Sequence, residues 1–221
     1  DVTQLQHRHV QQLHGLGAHV MLWAGWECQD LSPAGSGKGL QGPRSNTFFA
    51  LHRVLGMMQQ QLGSKLAWVL ENTAMNVPWQ RSAVVLQDFA WLRQLLGEPL
   101  TLDAAQFGSR AHRLRCYWTN LAPVQQLQQL LAAAQRPPGK LVQDILGPGR
   151  QCQPVTRSDE PPLYVCNVAG QPRQALPTLV ATVGSYAFCK GGAGLVWDQQ
   201  AHAWTEPNME ERERALGYMP G

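Results

Sequence analysis

A short apolar run that ends near a cysteine constrains the fold of this chain more than any other feature. Residues 20–25 read Val-Met-Leu-Trp-Ala-Gly, which predicts a buried strand. After it come Glu27-Cys28-Gln29-Asp30 and a Gly-rich stretch, residues 32–39. A thiol placed between a strand and a flexible loop has an apolar side and a solvent side, so it can reach a substrate. On its own the cysteine is weak support, because single cysteines more often fill a core.

Helical and strand-like patterns alternate after this cysteine. Apolar residues at helical spacing predict helices over residues 46–62 and 83–96, each stopped by a glycine. Other patterns predict a surface helix over residues 3–15 and strands over residues 66–70, 100–105 and 116–120. The alternation predicts an α/β fold built on a parallel sheet. Ligands of such sheets lie at the carboxyl ends of the strands, and we expect Cys28 and Glu71 just past two such ends.

Composition narrows the classes of protein that remain. The chain has 221 residues, 44% of them hydrophobic and 15% charged, which suits one sizeable core and excludes a charge-rich disordered tail. The net charge of +3 permits a nucleic-acid partner without requiring one. Five cysteines without a Cys-x-x-Cys pair argue against a zinc site or a disulfide framework. We therefore expect no metal, and no apolar run approaches the length of a membrane span.

The sequence pattern of the chain changes between Pro123 and Pro177. Glutamines interleaved with leucines lead into Arg136-Pro137-Pro138-Gly139 and an irregular, proline-rich stretch. We predict a core over residues 1–121, an inserted small lobe over residues 122–176, and a return to the core over residues 177–221. In the last part, residues 179–183 are predicted to form a strand and residues 209–216 a charged helix.

Three blocks of sequence occur in a specific order. They are Cys28-Gln29-Asp30-Leu31-Ser32, Glu71-Asn72-Thr73, and Ala111-His112-Arg113-Leu114-Arg115. In this order they resemble the signature blocks of the DNA cytosine-5 methyltransferases. The resemblance is closest to the animal de novo type, whose blocks read Cys-Asn-Asp-Leu-Ser and Ala-His-Arg-x-Arg. It covers nearly the whole chain except residues 122–176. It implies a partial Rossmann-like class I methyltransferase sheet with a small irregular target-recognition insert.

The resemblance also implies a division of chemical roles. Cys28 would be the nucleophile that adds to C6 of a flipped-out cytosine, which makes C5 able to accept a methyl group. Glu71 would contact N3, and Arg115 would contact O2 and spread the developing charge. Arg113 would help to fix its loop, and Asn72 would brace the turn that carries Cys28.

S-adenosylmethionine and DNA are the cofactor and the partner that the resemblance implies. Asp1 and Glu27 would meet the cofactor. Residues 32–42 would form a mobile loop that closes over the base. Contacts to DNA would come from four residues, namely Gln29, Ser32, Lys38 and Arg44. Other methyltransferase subunits are further candidate partners, and the animal-type blocks suggest the nucleus, or the cytoplasm if the owner is prokaryotic or viral.

The chain also departs from the family pattern. Glu27 stands where the family has proline, and we expect the carboxylate beside the thiol to disfavour the thiolate and slow the chemistry. The Gly-rich cofactor motif and the final Asn-x-Val motif are absent, so we expect a fragment of a methyltransferase. Two alternatives remain: a tRNA cytosine-5 methyltransferase, and a non-catalytic relative that binds nucleic acid or a partner. Each residue also has an ordinary structural alternative, such as a core cysteine, a surface carboxylate or a solvated arginine pair.

Overall fold

The computed structural model describes residues 1–15, 17–135, 141–156, 167–180, 184–185 and 187–218. The chain forms two compact units. Unit 1 comprises residues 1–101 and 115–131, and unit 2 comprises residues 102–114 and 132–221. The predicted boundaries near residues 122 and 176 stay predictions, because packing units do not reveal which part of a chain recognises a target.

Five α-helices and seven strands make up the regular structure of the described residues. In chain order they are α1 (His7–Gly15), β1 (Val20–Gly25), α2 (Thr47–Leu62), β2 (Leu66–Thr73), α3 (Ala83–Leu96), β3 (Leu100–Asp103), β4 (Leu114–Thr119), α4 (Val124–Ala134), β5 (Arg150–Cys152), β6 (Val196–Asp198), β7 (Ala203–Thr205) and α5 (Met209–Leu216). The α/β class is confirmed, and so are the predicted helices that became α2, α3 and α5.

The larger sheet has the strand order β1-β2-β4-β3. Strand β1 runs parallel to β2, whereas β4 runs antiparallel to β2. The expectation of a parallel sheet is therefore correct for β1 with β2 and wrong for β2 with β4. The sheet is mixed because β4 enters it from the opposite direction.

Strand β1 is an edge strand with one exposed face. Towards α2, the segment after β1 places Trp26 against Phe48, with ring centroids 4.9 Å apart. The alternate side chains of β1 lie outward, with Met21 54% and Trp23 66% exposed. The prediction of a buried strand was wrong for this face, since an apolar run does not reveal which of its two faces is covered.

Glycines end the two helices of unit 1 that follow β1 and β2. Gly63 has φ +52° and Gly97 has φ +88°, in the left-handed region that a glycine adopts without steric cost. At the other end of α3, the Ser82 hydroxyl accepts a hydrogen bond from Val85 N. These caps mark the ends of α2 and α3, after which β2 and β3 begin, and β2 carries part of the candidate site.

Unit 2 is built around a three-stranded antiparallel sheet, with the order β5-β6-β7. It also contains an apolar cluster formed by Ala111, Val142, Ile145, Leu176 and Ala215. The predicted strand over residues 179–183 was wrong for residues 179–180, which are irregular, and residues 181–183 lie outside the described residues. Residues 136–139, the Arg-Pro-Pro-Gly segment of the predicted insert, also lie outside the described residues.

Candidate active site

Strand β2 carries two of the predicted site residues, Glu71 and Asn72. The strand extends to Thr73, so Glu71 lies inside it and not past its end as expected. The reason is pairing on both sides, because Glu71 stands opposite Gly25 of β1 and Tyr117 of β4. The backbone of Glu71 is therefore part of the sheet and holds its side chain in a fixed direction.

Glu71 and Arg115 form an ion pair on one face of the sheet. Arg115 Nε lies 2.9 Å from Glu71 Oε1, and their side chains are 14% and 24% exposed, respectively. Arg115 stands opposite Thr73, two residues along β2 from Glu71, so both side chains project from the same face. The pair is accessible enough to meet a ligand and buried enough to be weakly screened.

The carboxylate of Glu71 also reaches the end of β1. A Cβ atom on Gly25 would lie only 3.0 Å from Glu71 Oε2, so the absence of a side chain at Gly25 gives the carboxylate its room. The chain continues from Gly25 to Cys28 in three residues. The acid, the guanidinium and the backbone that leads to the thiol therefore meet at one end of the parallel pair β1 and β2.

Asn72 is buried, with 1% of its surface exposed. Its Nδ2 donates to the Trp26 carbonyl oxygen at 2.8 Å, and its Oδ1 accepts from Thr73 N at 2.8 Å. This contact fastens the segment between β1 and Cys28 to strand β2. It is the geometry that a bracing role requires, and the role itself stays a prediction.

Cys28 is a half-buried free thiol. Its carbonyl oxygen accepts hydrogen bonds from Leu31 N at 3.0 Å and from Ser32 N at 2.8 Å, which places the cysteine at the start of a tight turn. The neighbouring Glu27 lies 3.6 Å from Arg44 Nη1, and both side chains are about half exposed. Arg44 therefore offsets part of the negative charge that Glu27 brings next to the thiol.

The four predicted DNA contacts all lie in unit 1, around this turn. Gln29, Lys38 and Arg44 are exposed, and Ser32 is half-buried with its hydroxyl accepting from Ala34 N at 3.3 Å. Arg44 is the one that also contacts Glu27. Exposure is what a phosphate contact needs, and the DNA role of these residues stays a prediction.

Arg113 belongs to unit 2, whereas Glu71 and Arg115 belong to unit 1. Within unit 2, Arg113 N donates to Asp103 Oδ1 at 2.8 Å, and His112 Nδ1 lies 2.6 Å from Asp103 Oδ2. Burial acts to raise the pKa of Asp103. Hydrogen bonding and charge from His112, with two backbone N–H donors, outweigh burial, so the pKa lies below its usual value. The backbone around Arg113 is thus held by an ionised carboxylate.

The two predicted cofactor contacts, Asp1 and Glu27, each bind their own neighbours. Asp1 accepts from Thr3 N at 2.9 Å and from Thr3 Oγ1 at 3.0 Å, and Glu27 pairs with Arg44. These contacts do not form a cradle for a nucleoside, and the assignment of both residues to S-adenosylmethionine stays a prediction. Among the described residues, no group of three or more His, Cys, Asp or Glu side chains is suited to a metal ion.

The sequence analysis did not single out Asp30 or Asp103 as site-forming residues. Asp30 is 3% exposed and binds the loop after Cys28, and Asp103 binds the block that contains Arg113. The available indication for Asp30 was a short acidic residue two positions after Cys28, followed by serines six and fifteen positions after Asp30 itself. The pairing of Asp103 with His112 had no local indication, since it depends on how the turn after β3 folds back.

No family model and no curated protein matches this chain. Among solved structures, it is similar to the crystal structure of the S. pombe Dnmt2 methyltransferase. The TM-score is 0.46 and the identity 14%, over 99% of this chain and 71% of that one. Separately, none of the helices in the described part of the chain is long and apolar enough to span a membrane.

Proposed function

We propose that the chain methylates C5 of cytosine in DNA, with Cys28 as the nucleophile. One observation carries the proposal: the ion pair of Glu71 and Arg115, 2.9 Å apart, lies beside the end of β1 that leads to Cys28. An acid and a guanidinium held side by side match the adjacent N3 and O2 atoms of a cytosine ring. The ordered sequence blocks around the same three residues support the same chemistry.

In this proposal the residues of the chain activate the base. Arg115 holds O2, and the Glu71 carboxylate, ion-paired in the free chain, relays a proton from solvent to N3. The Cys28 thiolate forms a bond to C6, and the electrons of the C5–C6 double bond move into the ring and make C5 an enamine-like nucleophile. Base flipping out of the duplex is required for this approach. S-adenosylmethionine would supply the methyl group.

The partner and the location are part of the proposal. The exposed Lys38 and Arg44, with a net charge of +3 for the chain, support a nucleic-acid partner. DNA is favoured over tRNA by the resemblance of the blocks to the animal de novo type. The nucleus follows from the same resemblance, and association with other methyltransferase subunits remains a further proposal.

Hydrogen exchange at cytosine C5 tests the activation step without a methyl donor. An enamine-like C5 takes up a solvent proton, and reversal of the addition then releases the original hydrogen and frees Cys28. We expect the 221-residue chain to release tritium from DNA that carries 5-tritiated cytosine. Release should vanish in Cys28→Ala and fall in Glu71→Gln. Glu98→Gln is the matched control, because Glu98 pairs with Arg93 on an exposed surface.

Parallel incubations with tRNA and with duplex and single-stranded DNA separate the candidate substrates. Release from tRNA alone would move the proposal to RNA. Retention of tritium on every substrate, by a folded chain that binds nucleic acid, would leave the non-catalytic alternative. Adding S-adenosylmethionine to duplex DNA containing 5-fluorocytosine then tests methyl transfer itself, since a stable adduct should form and depend on Cys28.

A further inference from the structure

We infer that Asp30 is a positioning residue whose buried carboxylate holds residues 31–45 in one folded loop and so fixes the turn that presents Cys28. The consequence for catalysis rests on the proposed function. It differs from the expectation of a freely mobile loop over residues 32–42, because the loop is fastened at both ends and in the middle.

Asp30 uses every polar group it has. Its Oδ1 accepts from Ser36 Oγ at 2.5 Å, and its Oδ2 accepts from Arg44 N at 2.8 Å and from Ser45 N at 3.0 Å. Its backbone N–H donates to Ser45 Oγ at 3.3 Å, and its carbonyl oxygen accepts from Gly39 N at 3.0 Å. One residue therefore joins the start, the middle and the end of the loop.

The hydroxyl of Ser45 extends this network to the cysteine. Ser45 Oγ donates to the Glu27 carbonyl oxygen at 2.7 Å, so the end of the loop is tied to the residue before Cys28. The hydrogen bond from Ser36, followed by that from the backbone of Ser45, holds the pKa of Asp30 below its usual value. The carboxylate is thus ionised at neutral pH and attracts the N–H donors that surround it.

The glycines of the loop make room for the folded form. A Cβ atom on Gly42 would lie 2.3 Å from Asp30 Oδ2, and one on Gly35 would lie 1.9 Å from the Gln29 carbonyl oxygen. Both distances are far below any normal contact. These two glycines are therefore explained by close approach to residues 29 and 30.

Helix α3 and the residues just before it bind the other side of the loop. Asp88 Oδ2 accepts from Leu40 N at 2.7 Å, and Ser82 Oγ donates to the Gly37 carbonyl oxygen at 2.7 Å. Gln80 Nε2 donates to the Leu31 carbonyl oxygen at 3.0 Å. Opening the loop would leave these groups and the Asp30 carboxylate without their partners, so the folded form is favoured over an open one.

Limited proteolysis tests the inference without any substrate. Lys38 is exposed in the middle of the loop, and trypsin cuts after it only when the local backbone opens. We expect Asp30→Ala and Gly42→Ala to speed cleavage at Lys38 by about tenfold or more. Asp30→Asn should restore most of the protection, since its oxygen still accepts the two backbone N–H groups and its amide can donate to Ser36. Gly56→Ala is the matched control, because a Cβ there meets nothing within 4 Å.

Peptide-level alkylation of Cys28 gives the second readout. In Asp30→Ala the alkylation rate of Cys28 should depart from that of the parent, as the cleavage rate at Lys38 does. In Asp30→Asn the alkylation rate should return towards that of the parent. If Asp30→Ala does not fold, Gly42→Ala and Ser36→Ala, which removes a single partner of Oδ1, provide the same comparison. Parent-like cleavage at Lys38 in folded Gly42→Ala and Ser36→Ala would overturn the inference. These outcomes do not depend on methyl transfer, so a failure of the proposed function would be seen separately.

Discussion

Asn72 donates a hydrogen bond from Nδ2 to the Trp26 carbonyl oxygen at 2.8 Å, and so joins strand β2 to the segment that leads to Cys28. Both residues are buried, at 1% and 7% exposure. The contact joins β2 to the segment that follows the neighbouring strand β1. It is therefore a place where stability and the geometry of the candidate site depend on the same side chain.

Asn72→Ala should destabilise the chain. The substitution leaves a buried carbonyl and a backbone N–H without their partner, which costs about 1–3 kcal/mol. Urea unfolding measures the loss. Asn46→Ala is the matched control, because Asn46 is exposed and its side chain makes no capping bond. Equal stabilities for the two variants would contradict the bracing contact.

Glu71→Gln should slow the reaction more than it destabilises the fold. The amide keeps the shape of the side chain but does not donate a proton to N3 as an acid does. A lost general acid lowers kcat by about 10²–10⁴-fold. Steady-state kinetics with tritiated cytosine substrates measure this, with Glu98→Gln expected to match the parent. A kcat for Glu71→Gln within about twofold of the parent would exclude Glu71 from the chemistry.

Arg115→Lys is a separate test of the guanidinium. Lysine keeps the charge but offers a single ammonium group in place of the planar fork that can contact both Glu71 and O2. We expect KM to rise and kcat to fall in this variant. Arg93→Lys, in the exposed pair with Glu98, serves as the control and should leave both constants unchanged. Unchanged kinetics for Arg115→Lys would mean that charge alone is enough at this position.

Cys28 should react with iodoacetamide far faster than Cys116. Burial raises the pKa of the Cys116 thiol, and the hydrogen bond with Thr101, the Met75 backbone and the charge of Arg115 only partly oppose it. Cys116 is also fully buried, so the reagent has no access. We expect a rate difference of at least about a hundredfold in the folded chain, read by peptide mass spectrometry. The difference should disappear in urea, and equal labelling of the folded chain would refute the burial argument.

Asp103 should make unit 2 sensitive to acid. Its folded pKa is depressed, so its contribution to stability is present above the unfolded pKa of about 3.9 and is lost as the pH falls through the folded pKa. We expect the unfolding free energies of the parent and Asp103→Asn to differ near neutral pH and to converge in acid. Urea unfolding at a series of pH values measures this. Parallel curves would show that the His112 contact adds nothing to stability.

The helices could be predicted from sequence because their determinants are local. Gly63 and Gly97 both adopt positive φ, and the apolar spacing between caps spans whole helical turns. The end of β2 could not be predicted in the same way. Its last three residues pair with residues of β4, which lie more than forty positions later in the chain.

The residue types of the candidate site came from the sequence, whereas its surroundings came from the fold. Cys28, Glu71 and Arg115 were selected because they stand in ordered blocks that resemble a known family, and their roles stay predictions. Asp30 was missed because its importance lies in donors six to fifteen residues away that only the folded loop brings together. The exposed face of β1 was not predicted, because the hydrophobicity of a side chain does not reveal whether another part of the fold packs against it.

The position of Glu71 inside a hydrogen-bonded ladder affects how this site can evolve or be redesigned. Insertions and deletions in the flanking loops leave the spacing between the acid and the guanidinium unchanged, since the pitch of the sheet sets it. A slip of one residue between β2 and β4 would instead send one of the two side chains to the opposite surface. Exchange of side chains at these fixed positions is therefore the direct way to change what the acid and the guanidinium contact.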